Sequence, residues 1–391
     1  MSRDRLARWF AQTALIWLLV AALMGVWLRW QAWGAPPLVF NFRFLTHAHS
    51  HLMFLGWVYN ALAALLIVGF LPGQPGRVYV WLWAGLQAGL LGMAVFFPLQ
   101  GYAAGSITFS TLHMALAGWL GLRLWLDAGK PGFAFTALRW SIVFLLVSSL
   151  GPFALGYVMA KGGQATIWYN LAIYFYLHFQ YNGWMLFALL AILLRHLPET
   201  DGRIGPAIHL LAGGCAATYA VSALWTDPPL PVYLLAGAGV VLQLRGALML
   251  MRVWQAVSWA TAWPQTWSRR FAALAFYSFL LKLAVQTQAL WPGLGRMVFL
   301  NRNWLIGYFH LVFIGVITAA LIAVFIQKNW LPTGKQSGPG WWLLVGGYVC
   351  TELVLALPGA SPAALLGAAL AMLAGLVWVV GANRQWIFKG H

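Results

Sequence analysis

The sequence predicts an all-α integral membrane protein of about twelve transmembrane helices. Hydrophobic residues make up 62% of its 391 residues and charged residues only 7%, a balance outside the range of ordinary soluble domains. The mean hydropathy is +0.78. Apolar stretches of bilayer-crossing length recur along the whole chain. A segment in hydrocarbon must satisfy its own backbone hydrogen bonds, so each stretch reads as a helix. Residues 1–391 therefore form a single polytopic membrane domain.

The spans are expected in the following order. The first, near 10–30, follows Arg3, Arg5 and Arg8 and ends at Arg29 with no small-residue cleavage site, so it is expected to remain as a helix. The second, near 44–71, opens on the polar run Thr46-His47-Ala48-His49-Ser50-His51. The third and fourth lie near 78–97 and 107–126, the fourth with His113. The fifth is near 134–158; the sixth, near 166–195, is long enough to begin in the interface and holds His178. Spans near 205–225, 229–251 and 270–290 carry Cys215, Arg245 and Lys282. The tenth, near 303–327, holds His310, and the last two lie near 340–357 and 362–384.

Basic residues orient these spans. One side holds Arg3, Arg5, Arg8, Arg77, Arg123, Lys130, Arg195, Arg203, Arg252, Arg269, Arg270, Lys328, Lys335, Arg384 and Lys389, and the other only Arg29, Arg43, Lys161, Arg296 and Arg302. By the positive-inside rule both termini face the cytoplasm, as expected for a protein of the bacterial inner membrane. The net charge of +17 is then mostly topology. No basic, aromatic-interleaved soluble domain is present to bind nucleic acid. The tryptophans at span ends read as interfacial anchors.

Several chemistries are excluded. Cys215 and Cys350 have no CxxC spacing, and no CxxCH attachment site occurs. Glu352 is the one acidic residue well inside a span, so paired-carboxylate catalysis and carboxylate-rich metal sites do not fit. No phosphate-binding loop or dinucleotide fingerprint is present.

Histidine is the remaining candidate. His51, His113, His178 and His310 each sit in the outer half of a span with a glycine five residues later: Gly56, Gly118, Gly183 and Gly315. Trp57, Trp119 and Trp184 follow the first three glycines. All four lie on even-numbered spans, which run the same way, so the imidazoles approach one layer of the bilayer. Imidazole is costly in hydrocarbon and binds metals and haem well. The glycine lets a neighbouring helix come close beside each histidine. In the second span His47 and His51 share a face and His49 points away from both. Candidate metal ligands are His47, His49, His51, His113, His178 and His310.

These motifs resemble two families. Gly307-Tyr308-Phe309-His310-Leu311 is similar to the tenth helix of heme–copper oxidases and, more closely, nitric oxide reductases. The resemblance implies that His310 is an axial ligand of low-spin heme b. Tyr308 stands where those families place the ligand of the catalytic haem. His49-Ser50-His51-Leu52-Met53 resembles their second helix, whose histidine is the other low-spin ligand: the methionine spacing favours His49, the internal glycine frame His51. His178-Phe179-Gln180-Tyr181-Asn182 is similar to their sixth helix, which implies a site for copper or non-heme iron, with Asn182 at a glutamate position. The adjacent histidine pair of their seventh helix is missing, and His209 is a poor substitute. His47-Ala48-His49 with Met53, Phe54 and Gly56 also resembles the opening motif of the NnrS family, whose members are heme- and copper-containing and associated with nitric oxide stress.

The expectation is a heme–copper oxidase subunit I-like bundle that binds heme b between its second and tenth helices. A second, altered site would use His178 and Tyr308 as catalytic residues, with His113. Arg43 and Arg302, with Arg29 and Arg296, would pair with haem propionates. Electrons would come from quinol, a cytochrome or a membrane partner subunit, and the work would be electron transfer or the handling of nitric oxide or oxygen. The rival class is a permease passing heme, copper or a small molecule, which the mid-span Arg245 and Lys282 also suit.

Overall fold

A computed structural model describes residues 1–382 except 35, 130–131, 196, 198–200 and 256. Lys130, Arg384 and Lys389 of the charge count lie outside the described residues. Among the described residues the regular structure is entirely helical. Its long helices follow the expected order: α1 Arg3–Trp33, α2 Phe42–Phe70, α3 Arg77–Gln100, α4 Ala104–Asp127, α5 Phe133–Ala160, α6 Ile167–Leu194, α7 Ile204–Thr226, α8 Leu230–Trp254, α9 Thr266–Gln288, α10 Arg302–Gln327, α11 Lys335–Ala356 and α12 Pro362–Ala382.

Ten of these helices are long and apolar enough to cross a membrane. The other two, α4 and α9, are equally long but more polar. The first carries Ser106, Ser110, His113 and Arg123, the second Arg269, Arg270, Lys282 and Gln286. A multi-pass membrane protein follows from the ten; a count of twelve depends on α4 and α9.

Most boundaries fall within a few residues of expectation. The largest difference is in the first helix, which begins at Arg3 because the Ser2 side chain caps it, accepting from the Arg5 N–H. A capped polar turn remains helical in the headgroup region, where hydropathy gives no signal.

The chain forms two compact units. One comprises Met1–Leu120, Trp263–Leu274 and Thr318–His391; the other comprises Gly121–Ala262 and Ala275–Ile317. The chain passes from one to the other within α4, between Ala262 and Trp263, and within α9 and α10. In the first unit α1 lies against both α2 and α12, and α11 pairs with α12. That pair meets backbone to backbone: a Cβ on Gly347 would lie 2.7 Å from the Ala368 carbonyl oxygen. In the second unit α5 packs on α6 and α7 pairs with α8. Gly214, Gly239 and Gly246 leave no room for a side chain between α7 and α8, the small-residue packing expected where two membrane helices approach closely. The helix α5 breaks at Ser149, three residues before Pro152, which removes a backbone donor and crowds the preceding turn.

Candidate functional site

Three of the four histidine frames coincide with a departure from α-helical geometry. A π-helical segment begins at the residue after the histidine in each case: Leu52–Val58 after His51, Phe179–Met185 after His178, and Leu311–Thr318 after His310. The entry is the same each time. The amide following the histidine bonds the carbonyls three and four residues back: Leu52 to Ala48 and His49, Phe179 to Phe175 and Tyr176, Leu311 to Gly307 and Tyr308. A π turn inserts residues into the helical repeat and re-aims the side chains beside it, and such turns gather at functional sites. His113 differs, lying in a regular α-helix.

The frame glycines explain how the wide turns are packed. A Cβ on Gly56 would lie 2.7 Å from the Trp17 Cβ of α1, and one on Gly183 would lie 2.6 Å from the Phe144 Cβ of α5. The first π turn also has its carbonyls answered. The Asn60 amide donates to Leu55 O at 3.1 Å and Gly56 O at 2.8 Å, Gln87 donates to Asn60 Oδ1 at 2.9 Å, and Trp17 donates to Gln87 at 2.9 Å. Trp57 donates its indole N–H to Thr318 Oγ1 at 2.8 Å, joining the first π turn to the last residue of the third within one unit.

In the first unit the second-helix histidines take different directions, as their spacing requires. His49 places Nδ1 2.8 Å from Ala21 O of α1, with its ring against Gly25. His51 places Nδ1 2.8 Å from His47 O, one turn back, and Nε2 3.2 Å from the Tyr102 hydroxyl. The His47 ring meets Tyr102 edge-on at 4.6 Å, and Phe97 lies 4.3 Å from the His51 ring. His113 is fully buried beside the Tyr59 ring, and neither of its nitrogens makes a hydrogen bond.

In the second unit His178 heads a buried polar string that crosses four helices. Its Nδ1 lies 3.2 Å from the Asn182 amide nitrogen, and its Nε2 lies 2.8 Å from Cys215 O. Thr218 donates to the same carbonyl at 3.3 Å, Gln243 donates to Thr218 at 3.1 Å, and Gln286 donates to Gln243 at 2.8 Å. Lys282 ends the string, donating to Gln286 Oε1 at 2.6 Å with 1% of its surface exposed. Tyr181, inside the π turn of α6, packs edge-on against Tyr308, Phe309 and Phe313 of α10 at about 6 Å. Arg245 is not part of this interior; it is exposed on the second unit.

Not every expected site residue fits its expected ligand. A histidine that ligates haem or metal through Nε2 commonly holds Nδ1–H on a carbonyl. His49 and His51 both have that posture. His178 does not: with both nitrogens bonded inside the protein, it has no lone pair to offer without breaking the string. Among the described residues no three His, Cys, Asp or Glu side chains gather as a metal-binding group. His178, so bonded, therefore does not fit as a ligand of a histidine-built copper or non-heme iron centre. His310 ends the first segment of α10, whose N-cap Asn301 accepts from the Asn303 and Trp304 amides. Asn41 caps α2 in the same way. Arg43 and Arg302 follow these caps, and each precedes its frame histidine, His51 or His310, by eight residues, a correspondence that aligning the two helices by their glycines would have revealed. His209 is exposed and accepts from the Trp140 indole at 3.3 Å, away from His178's partners. Of the frame tryptophans Trp57 and Trp184 are buried, but Trp119 is half exposed.

Asn60, Gln87, Thr218, Gln243, Gln286 and Tyr102 are among the participants that sequence reasoning missed. The amides were visible as polar residues inside apolar spans; nothing in the sequence marked the loop tyrosine. No protein-family model and no curated protein sequence matches this chain.

Proposed function

We propose that the chain is a membrane haem protein that passes electrons or handles a small gas such as nitric oxide or oxygen. The observation that carries this reading is the π turn that follows the histidine in three spans. A local distortion placed three times beside an imidazole in an apolar span supports a site there, since such turns gather at functional sites. His310 is the candidate ligand on the tenth helix, and His49 or His51 that on the second; Arg43 and Arg302, at the helix starts, suit the propionates. Haem held by two imidazoles would supply one-electron chemistry. The protein's own part is to fix imidazole tautomers through carbonyl bonds and to wall the site with aromatic side chains. Tyr308, packed on Tyr181, is proposed as a hydrogen-bonding group at the altered second site. Quinol, a cytochrome or a partner subunit would deliver the electrons, and the cytoplasmic membrane with both termini inside is the proposed location.

The test is an optical spectrum of detergent-purified protein, oxidised and dithionite-reduced, with pyridine-hemochrome quantitation. Stoichiometric haem with a sharp reduced α band, lost in His310→Ala, is the expected result. Haem-free protein from haem-sufficient cells would overturn the reading.

One observation favours the permease alternative. Lys282 is a buried cation whose hydrogen-bond acceptor is an amide rather than a carboxylate, and ionisable residues inside membranes mark substrate or ion pathways. Substrate uptake into vesicles containing haem-free protein, lost in Lys282→Met, would support that alternative.

A further inference from the structure

We propose that His47, His51 and Tyr102 form a binding site for a divalent transition-metal ion of the zinc and copper class, at the end of the first unit where α2 begins. His47 and His51 stand four residues apart on one helix face, the spacing by which a single helix presents two imidazoles to one ion. The His51 ring is already set for the task, because Nδ1 is tied to His47 O at 2.8 Å and Nε2 faces the Tyr102 oxygen at 3.2 Å. That separation matches two donor atoms on one tetrahedral ion, which at bond lengths of about 2.0–2.1 Å stand about 3.3 Å apart.

The loop that carries Tyr102 is built rather than loose. Gly101 has a φ of +63°, which only glycine adopts without strain, and it packs on the Phe44 ring where a side chain would clash. Ser106, fully buried, accepts from the Ala103 N–H at 3.0 Å and donates to Gly101 O. Phe97 walls the other side of the cluster, 4.3 Å from His51 and 6.4 Å from His47 between ring centroids. His113 is a further buried imidazole of this unit, with neither nitrogen hydrogen-bonded. Imidazole suits zinc and copper, and two imidazoles with a phenolate leave a position for water or an anion. On binding, the Tyr102 phenol loses its proton to water, the Tyr102 O–H bond giving way to an O–metal bond, so one proton is released per ion. This site takes His51 and leaves His49, which faces α1, for haem; it does not depend on haem being present.

The experiment is calorimetric titration of full-length, EDTA-treated, detergent-purified protein with Zn²⁺, repeated in two buffers of different ionisation enthalpy and followed with Co²⁺ by its visible absorption. Expected are one equivalent bound and about one proton released. Tyr102→Phe and His47→Gln should each weaken binding at least about tenfold, while His209→Gln leaves it unchanged. Haem content and a single gel-filtration peak, measured on the same samples, separate this test from that of haem binding and from misfolding. Tyr102→Phe keeps the ring packing, so loss of affinity there reports the hydroxyl. No saturable binding below about 1 mM, equal affinity in both variants, or haem lost together with zinc in Tyr102→Phe would overturn the site.

Discussion

At the scale of single residues, the two units solve the problem of buried polarity differently. In the second unit both nitrogens of His178 lie within hydrogen-bond distance of protein partners, and Lys282, buried, donates to the Gln286 carbonyl at 2.6 Å. Moving an ammonium out of water costs several kcal/mol, which one amide acceptor does not repay. Lys282→Met is therefore expected to fold with an unchanged or higher melting temperature. Gln286→Leu leaves the ammonium without its acceptor and should cost about 2 kcal/mol or more. Thermal melts of both variants in detergent decide the matter: a Lys282→Met protein that fails to fold while Gln286→Leu is unaffected would show that the lysine is a structural requirement. The histidines themselves were legible as candidates because imidazole is conspicuous in an apolar span. Their partners were not, because Ala21 O and Cys215 O are backbone atoms of other helices that no residue pattern announces.

At the scale of elements, the π turn is the unit that recurs. Deleting one residue from it, for example Val312 in α10, restores the α-helical repeat. Everything beyond is then turned by about 100° and drawn back by about 1.5 Å relative to His310. Such a protein should keep its helical circular dichroism while losing the α band of the proposed haem; an unchanged spectrum would mean that the turn serves packing alone. The glycines allow a second check. Gly183→Leu meets the Phe144 Cβ in a space that does not accept even one methyl, and overpacking of this kind costs about 1–3 kcal/mol. A lower melting temperature is expected for it, whereas Gly162→Ala, in a loop with open space around it, should change little beyond the strain of its positive φ. The frame of histidine and glycine was readable from the sequence. That a π turn lay between them was not, since Leu, Phe and Val serve equally well in either helix.

At the scale of the whole molecule, α4 and α9 set the topology. With twelve spans, the loops at Gly162 and Gly359 lie on the same side of the membrane. With only the ten clearly apolar helices crossing, the segment between α4 and α9 is inverted and the two loops lie on opposite sides. In a Cys350→Ala background, Gly162→Cys and Gly359→Cys are expected to react with a membrane-impermeant maleimide from the same side. Labelling from opposite sides would overturn the single direction expected for the histidine-bearing helices, because α6 would then run against α2 and α10. Hydropathy by itself determined the class of the protein, the order of its helices and most of their limits, because the cost of unpaired backbone in hydrocarbon acts on every residue regardless of its neighbours. It also exposed the histidines, whose cost is likewise local. The tertiary structure alone decided which nitrogens are occupied, which glycines are contact points, and that a loop tyrosine stands over His51. Those outcomes depend on helix faces far apart in sequence, and the close fit that selects them is a property of the packed pair rather than of either strand of sequence alone.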